Sequence, residues 1–417
     1  MHISYFDRQT VTKDKIEKEL KRLAKYRHEV SEVVSTRNDS RHEYALTHAI
    51  NPELHEIINN LQKQFSKIEH LVLVGIGGSN LGTEAVHSAL DSGKVRLHIL
   101  DTTSAIDIER VQNALKGVKA VSKIAVCVIS KSGGTAETLV NASILIDSLK
   151  KKFSEGIYKQ TVFIGDANTA FMKQGKKMGV TCVTMPAIVG GRYSVGTEVG
   201  LIPLALLKHD VDAFVSGIND AASPEFEQLT AEAAARISVY MTDKFRHYNF
   251  FAFEKRLEKL GAWYRQLFAE SLGKSLDNDK KAVGKGMLPT VSTPVDLHSI
   301  GQLYLSGFEG VFTDFVSFDD DSIDFNVPKA GIAKAYGRFS VAEVAAAIYG
   351  GVIGAYQEKQ LPYRATVFDE GLAYSLGLFV AMRMREVMYI AMLLNVDAFN
   401  QPNVELYKEK TRAILKI

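Results

Sequence analysis

Five short runs rich in β-branched residues recur between residues 70 and 185: HLVLVGI (70–76), VRLHIL (95–100), KIAVCVIS (123–130), QTVFIGD (160–166) and VTCVTM (180–185). Each gap between them has room for one helix. Strands that alternate with helices build a parallel sheet, because parallel neighbours need a crossover connection. The runs are apolar almost throughout, so helices are expected to bury both faces of the sheet. Ligands of such sheets sit at the carboxyl ends of the strands, where the loops should cluster. A fainter series follows: YNFFAF (248–253), LPTVST (288–293), GVFTDFVSF (310–318) and YRATVF (363–368), with helical segments such as 341–358 between them. It reads as a second copy of the same α/β architecture, with the boundary between residues 201 and 222.

A chain of 417 residues is long enough for two domains with separate cores. The resulting division is a helical region at 1–54, domains at 55–205 and 206–390, and a helical segment at 391–417. A net charge of +2 without a basic block argues against a nucleic-acid or membrane surface. Cys127 and Cys182 lie in apolar strand-like runs, which favours reduced thiols and a cytoplasmic home. Residues 1–30 are charged throughout, have no apolar stretch of the signal-sequence kind and read as amphipathic helix. The apolar run 371–396 has the length of a membrane span, but Arg383, Arg385 and Glu386 interrupt it, so a buried core or interface helix is expected. The acidic run DDDSID (319–324) lacks the glycine and closing glutamate of a calcium loop and reads as a solvated turn.

Three glycine-containing loops follow strands of the first series. GIGGSNLG (75–82) fits neither common nucleotide loop: Asn80 stands where a dinucleotide fingerprint needs its third glycine, and Thr83 where a Walker loop needs lysine. A bare turn between strand and helix still points backbone N–H groups at an anion, although it is also simply a tight turn. SKSGGTAET (130–138) gathers Ser130, Lys131, Ser132 and Thr135 within six residues. Three hydroxyls and an ammonium at a helix start suit a terminal phosphate; one N-cap would explain only one of the hydroxyls. In GGRYSV (190–195), Gly190 and Gly191 allow close approach and Arg192 offers a planar cation able to stabilise an enolate-like charge, or is a surface arginine in a turn.

These three motifs, in this order, resemble those of the phosphoglucose isomerase family (glucose-6-phosphate isomerases). ESLGKS (270–275), DLHSIGQLYLSG (296–307) and the closing FNQPNVELYK (399–408) resemble it too. The resemblance implies two doubly wound, flavodoxin-like sugar isomerase (SIS) domains with flanking helices, a homodimer, and neither metal nor organic cofactor. It implies reversible conversion of D-glucose 6-phosphate to D-fructose 6-phosphate. By the same resemblance, Gly78, Ser79, Ser130, Lys131, Ser132 and Thr135 hold the substrate phosphate. Glu270 is the base, Arg192 stabilises the intermediate, and His298 and Lys408 serve ring opening. Glu137 pairs with that histidine, which the partner subunit supplies. Many relatives carry hydroxyls where Gly133 and Gly134 stand here, so backbone N–H groups must cover more of the phosphate.

The residue types suit that chemistry independently. One carboxylate between two carbons can carry a proton from one to the other, and a histidine oriented by an acid can protonate a ring oxygen near neutral pH. Other readings are a non-catalytic sugar-phosphate-binding protein, a related phosphosugar isomerase, an amidotransferase and a nicotinamide oxidoreductase. The amidotransferase needs a nucleophilic cysteine near its start, whereas the first cysteine here is Cys127, and Asn80 weighs against the oxidoreductase.

Overall fold

The computed structural model describes all residues except 91–92, 285, 320–322 and 417. The acidic run at 319–324 therefore lies largely outside the described residues. The chain opens with β1 (His2–Phe6), α1 (Lys13–Thr36) and α2 (Pro52–Gln64). The first sheet unit comprises β2 (His70–Val74), α3 (Leu81–Leu90), β3 (Arg96–Leu100), α4 (Ala105–Leu115), β4 (Ile124–Ile129), α5 (Ala136–Phe153), β5 (Thr161–Gly165), α6 (Ala170–Met178) and β6 (Thr181–Thr184). Helices α7 (Glu198–Leu206), α8 (Val211–Asp220) and α9 (Pro224–Thr242) lead to the second. It holds β7 (His247–Ala252), α10 (Glu258–Leu272), β8 (Leu288–Ser292), β9 (Val311–Phe318), α11 (Val341–Glu358) and β10 (Tyr363–Phe368), and the chain closes with α12 (Leu372–Leu394) and α13 (Glu405–Leu415).

The chain is an α/β protein on two five-stranded sheets. The first runs β3-β2-β4-β5-β6 and is wholly parallel. From β2 the chain first moves outward to β3 and then crosses back to β4, so strand order reverses between β2 and β4. In sheets of this kind ligands bind where the loops leaving such a pair of strands diverge, at the switch point. Strands β2, β4 and β5 are buried at every position, as their unbroken apolar runs require. Local chemistry fixes the helix starts: Ser104, Thr169, Ser223 and Ser340 each accept the backbone N–H three residues on.

The second sheet runs β1-β10-β9-β7-β8, and only β1 is antiparallel to its neighbour. Here the structure departs from the helix expected over the first thirty residues. HISYF forms an edge strand with His2 opposite Val367, and the helix starts only at Lys13, where the Thr12 side chain caps it. The ladder partner of this strand lies more than 350 positions along the chain, so nothing local announces it.

The apolar run at 371–396 becomes α12, buried almost along its length, and the helix crosses residue 390 without a break. Arg383 and Glu386 on it are paired inside the fold, while buried Arg385 donates to the Ala221 carbonyl at 2.6 Å. Arg364 on β10 donates to both carboxylate oxygens of Asp314 at 2.8 Å and to Glu386 at 2.9 Å, and Arg383 donates to Glu386 at 2.7 Å. Among the described residues no helix is long and apolar enough to cross a membrane.

Candidate active site

Three loops meet at the carboxyl ends of the first sheet. After β2, Gly75 leaves so little room that a Cβ there would stand 2.8 Å from the Cβ of Ser79 and 3.2 Å from the carbonyl oxygen of Ile129, the last residue of β4. Gly77 takes a left-handed φ of +62° to make the turn. Gly78 then presses its backbone on that of Gly191, while the Ser194 hydroxyl donates to the Gly191 carbonyl at 2.7 Å and the Gly78 carbonyl at 3.3 Å. From the loop after β4, Lys131 Nζ donates to the Val189 carbonyl at 2.9 Å. The third loop thus touches both of the others, and the first also abuts the end of β4.

Within the second loop, buried Ser130 donates to the Thr135 hydroxyl at 3.2 Å. Thr135 is the N-cap residue of α5, yet its side chain makes no capping hydrogen bond. The polar-cap explanation of this hydroxyl cluster therefore fails for Thr135, and the first turn of α5 keeps its N–H groups free of that side chain. Ser132 is exposed and accepts the Gly134 N–H at 3.3 Å. Burial pulls the Lys131 ammonium below its ordinary value, opposed by the charge of Asp166.

The third loop is not the surface turn that an isolated arginine suggests. Arg192 is 2% exposed, and all five of its N–H groups are engaged. Nε donates to the Ser271 hydroxyl at 2.8 Å. Nη1 donates to Glu270 Oε2 at 3.1 Å and Gln401 Oε1 at 2.5 Å, and Nη2 to the carbonyls of Ala398 at 2.6 Å and Asn400 at 3.1 Å. To meet an oxyanion, Arg192 must exchange one of these partners.

Glu270 lies in the last turn of α10, half-buried, with Oε2 on Arg192 and Oε1 accepting from Gln266 Nε2 at 3.0 Å. Gln266 is one helical turn earlier on the same face, and its amide nitrogen would stand 3.0 Å from a Cβ on Gly77. A ring therefore closes from Gly77 through Gln266, Glu270 and Arg192 to Gly191 and Gly78. Gln266 and Gln401 were not singled out from sequence. The i, i+4 spacing to Glu270 could have found Gln266; Gln401 lies in the closing FNQPNVELYK run without any local sign of its role.

The remaining sequence-predicted residues stand apart. His298 ends a 3₁₀ turn, Pro294–His298, beyond the edge strand β8, and is exposed. Glu137 is in the first turn of α5. Lys408 is partly exposed on α13 and pairs with Glu405 at 2.7 Å. Among the described residues no hydrogen bond or ion pair joins these three to Glu270 or Arg192, and no group of three or more His, Cys, Asp or Glu side chains could hold a metal.

The family model for phosphoglucose isomerase matches residues 47–318. A glucose-6-phosphate isomerase of Heliobacterium modesticaldum is 30% identical over 389 residues, covering 87% of this chain and 84% of its own length. That of Carboxydothermus hydrogenoformans is 29% identical over 388 residues, covering 87% and 82%. Among solved structures, a Thermus thermophilus protein described as hypothetical superposes with a TM-score of 0.84 at 26% identity, covering 99% of this chain and 100% of its own. A glucose-6-phosphate isomerase from Chlamydia trachomatis has the same fold, with a TM-score of 0.80 at 18% identity over 99% of this chain and 88% of its own. With more than half of its length under that family model and a relative 30% identical over 87% of it, the chain belongs to the phosphoglucose isomerase family.

Proposed function

We propose that this chain interconverts D-glucose 6-phosphate and D-fructose 6-phosphate. The observation that carries the reading is the Glu270–Arg192 pair, a carboxylate and a buried guanidinium 3.1 Å apart, enclosed by three loops at the switch point of a parallel sheet. The phosphate enters between the β2 and β4 loops, held by Ser79, Ser130, Lys131, Ser132 and Thr135 and by the backbone N–H groups that Gly78 and its neighbours expose. Glu270 takes the C2 proton of the open-chain aldose and returns it to C1, while the hydroxyl at C2 becomes the new carbonyl and the old one at C1 is protonated. General-base help of this kind gives about 10²- to 10⁴-fold. Arg192 offers Nη1 to the enediolate oxygen as Gln401 or Glu270 yields, a contact stronger in the transition state than before it.

A second copy of this chain completes the site in this reading. Helix α11, rich in alanine and glycine, buries only Tyr356, and the segment after β8 exposes Val295, Leu303 and Phe308. An apolar face of that kind suits an interface between copies. His298, on the same surface, then reaches a neighbour's sugar, with Glu137 orienting it and Lys408 at the ring oxygen. The reaction needs no metal, and the family's place in central sugar metabolism together with the two free cysteines supports a cytoplasmic setting. Incubation with fructose 6-phosphate, coupled to a glucose-6-phosphate dehydrogenase, tests the proposal. Turnover that survives EDTA supports it, and no turnover, or turnover restored only by a metal, overturns it.

A further inference from the structure

Two cationic side chains from separate stretches of the chain converge on one backbone carbonyl, that of Asn400. Arg192 Nη2 donates to it at 3.1 Å and Lys274 Nζ at 2.5 Å. The same Lys274 Nζ donates at 2.7 Å to the carbonyl of Glu270. The Lys274 backbone N–H is spent on Leu272, so the Glu270 carbonyl is one of the helix-end groups that no intrahelical N–H serves. An ammonium placed there also meets the negative end of the α10 dipole.

The segment that Lys274 grips also packs against the third loop, the Tyr193 hydroxyl donating to the Ala398 carbonyl at 3.4 Å and the Phe399 ring lying 5.4 Å from that of Tyr193. Ala398 and Gln401 are held by Arg192, and the Phe399 ring stacks on His42 with centroids 4.5 Å apart. Beyond Gln401 the chain turns through Pro402–Val404 into α13, none of whose residues is buried. Gln401 Oε1 and Glu270 Oε2 share a single nitrogen, Arg192 Nη1. The position of residues 397–401 therefore decides what the catalytic pair faces.

We propose that Lys274 is a positioning residue: it ties the Asn400 carbonyl to the C-terminal end of α10 and so keeps residues 397–401 closed over the Arg192–Glu270 pair. The inference rests on the isomerase reading for its kinetic consequence but not for its structural one. The clamp is held against a penalty, because burial and then the positive charge of Arg192 push the Lys274 ammonium down to about 8, opposed by Asp397 and Glu270. A lysine with no task at this point would turn outward to water, where its charge is fully solvated.

Two readouts on Lys274→Ala test the clamp. Kinetically, kcat for fructose 6-phosphate falls by about tenfold or more, the size expected for losing a charged hydrogen bond. KM stays within about threefold, because the phosphate loops are untouched. By hydrogen exchange, the amides of 398–404 exchange faster than in the parent protein, while those of 77–82 and 130–136 do not. Should the alanine variant melt below assay temperature, Lys274→Gln, whose amide reaches one carbonyl but carries no charge, serves the same comparison. A parental kcat, or unchanged exchange at 398–404, overturns the clamp. If the parent protein itself shows no turnover, the isomerase reading fails, and the exchange measurement alone still decides whether Lys274 holds the segment.

Discussion

Gly78 and Gly191 lie backbone to backbone: a Cβ on Gly78 would stand 2.2 Å from the carbonyl carbon of Gly191, whereas a Cβ on Gly191 would meet the Cα of Gly78 at an ordinary 3.5 Å. The contact is therefore asymmetric. Gly78→Ala must push the first and third loops apart at an overpacking cost of about 1–3 kcal/mol, and Gly191→Ala need not. Because Arg192 follows Gly191 directly, the displacement carries the guanidinium away from Glu270, and a shift of about 1 Å in such a pair costs on the order of 100-fold in turnover. Thermal melts of both variants, together with turnover of Gly78→Ala, check this. Equal melting temperatures for the two variants would contradict the packing argument.

If Lys131 holds the phosphate as proposed, phosphate binding should be coupled to protons. In the free protein, burial holds its ammonium below the ordinary lysine value while Nζ rests on the Val189 carbonyl. A phosphate dianion beside it favours the charged form, so the bound state has the higher pKa. Binding then takes up a proton wherever the pH lies between those two values, and affinity falls as pH rises through the lower one. Inhibition by inorganic phosphate, measured from neutral to alkaline pH, should weaken along that course. Lys131→Ala should flatten the dependence and raise KM by roughly 10- to 100-fold with little change in kcat, because an anchor of this kind binds ground and transition states alike. An unchanged KM removes Lys131 from the phosphate site.

What the sequence made legible follows from how local each signal is. Strands β2 to β6 and β7 to β10 each carry their own apolar run, and a glycine turn or a Ser-Lys-Ser-Gly-Gly loop is written in consecutive residues. The strand at His2–Phe6 is different, because its five residues acquire a β conformation only from a ladder with β10. Arg192 shows the same limit at the site. Its position after two glycines was visible, but not that five partners from two separate stretches of chain consume its donors. Lys274 stands inside ESLGKS with nothing to mark it, since one of its two carbonyl partners lies 126 residues away.

Arg364 should be a costly residue to remove from the second sheet. It is buried and donates to Asp314, Glu386 and the Tyr248 hydroxyl, while Arg383 also reaches both carboxylates. Arg364→Met leaves two buried carboxylates with one cation, and breaking a buried network in this way costs about 3–5 kcal/mol. Burial already raises both carboxyls, Glu386 to about 7, and loss of the arginine raises them further. The folded variant then holds protons that its unfolded chain has released above the ordinary carboxylate range, so stability falls as pH rises. Urea unfolding should show a larger deficit at pH 8 than at pH 5. A deficit below about 1 kcal/mol at both would mean that Arg383 compensates alone.

The placement of His298 yields the sharpest test of a shared site. Within one chain His298 is exposed beyond β8 and bonds to neither Glu270 nor Arg192, so the catalytic role proposed for it calls on a second copy. Glu270→Gln and His298→Asn should each be nearly inactive alone. In a mixed dimer, one site pairs the intact Glu270 of the second variant with the intact His298 of the first, and the other site carries both substitutions. Random reassociation at equal concentrations makes half of the dimers mixed, so roughly a quarter of the sites recover. Coupled assay of fructose 6-phosphate turnover after co-refolding measures that fraction. Recovery near zero, with mixed dimers shown to form, would place both residues in the same chain's site and remove the partner from the mechanism.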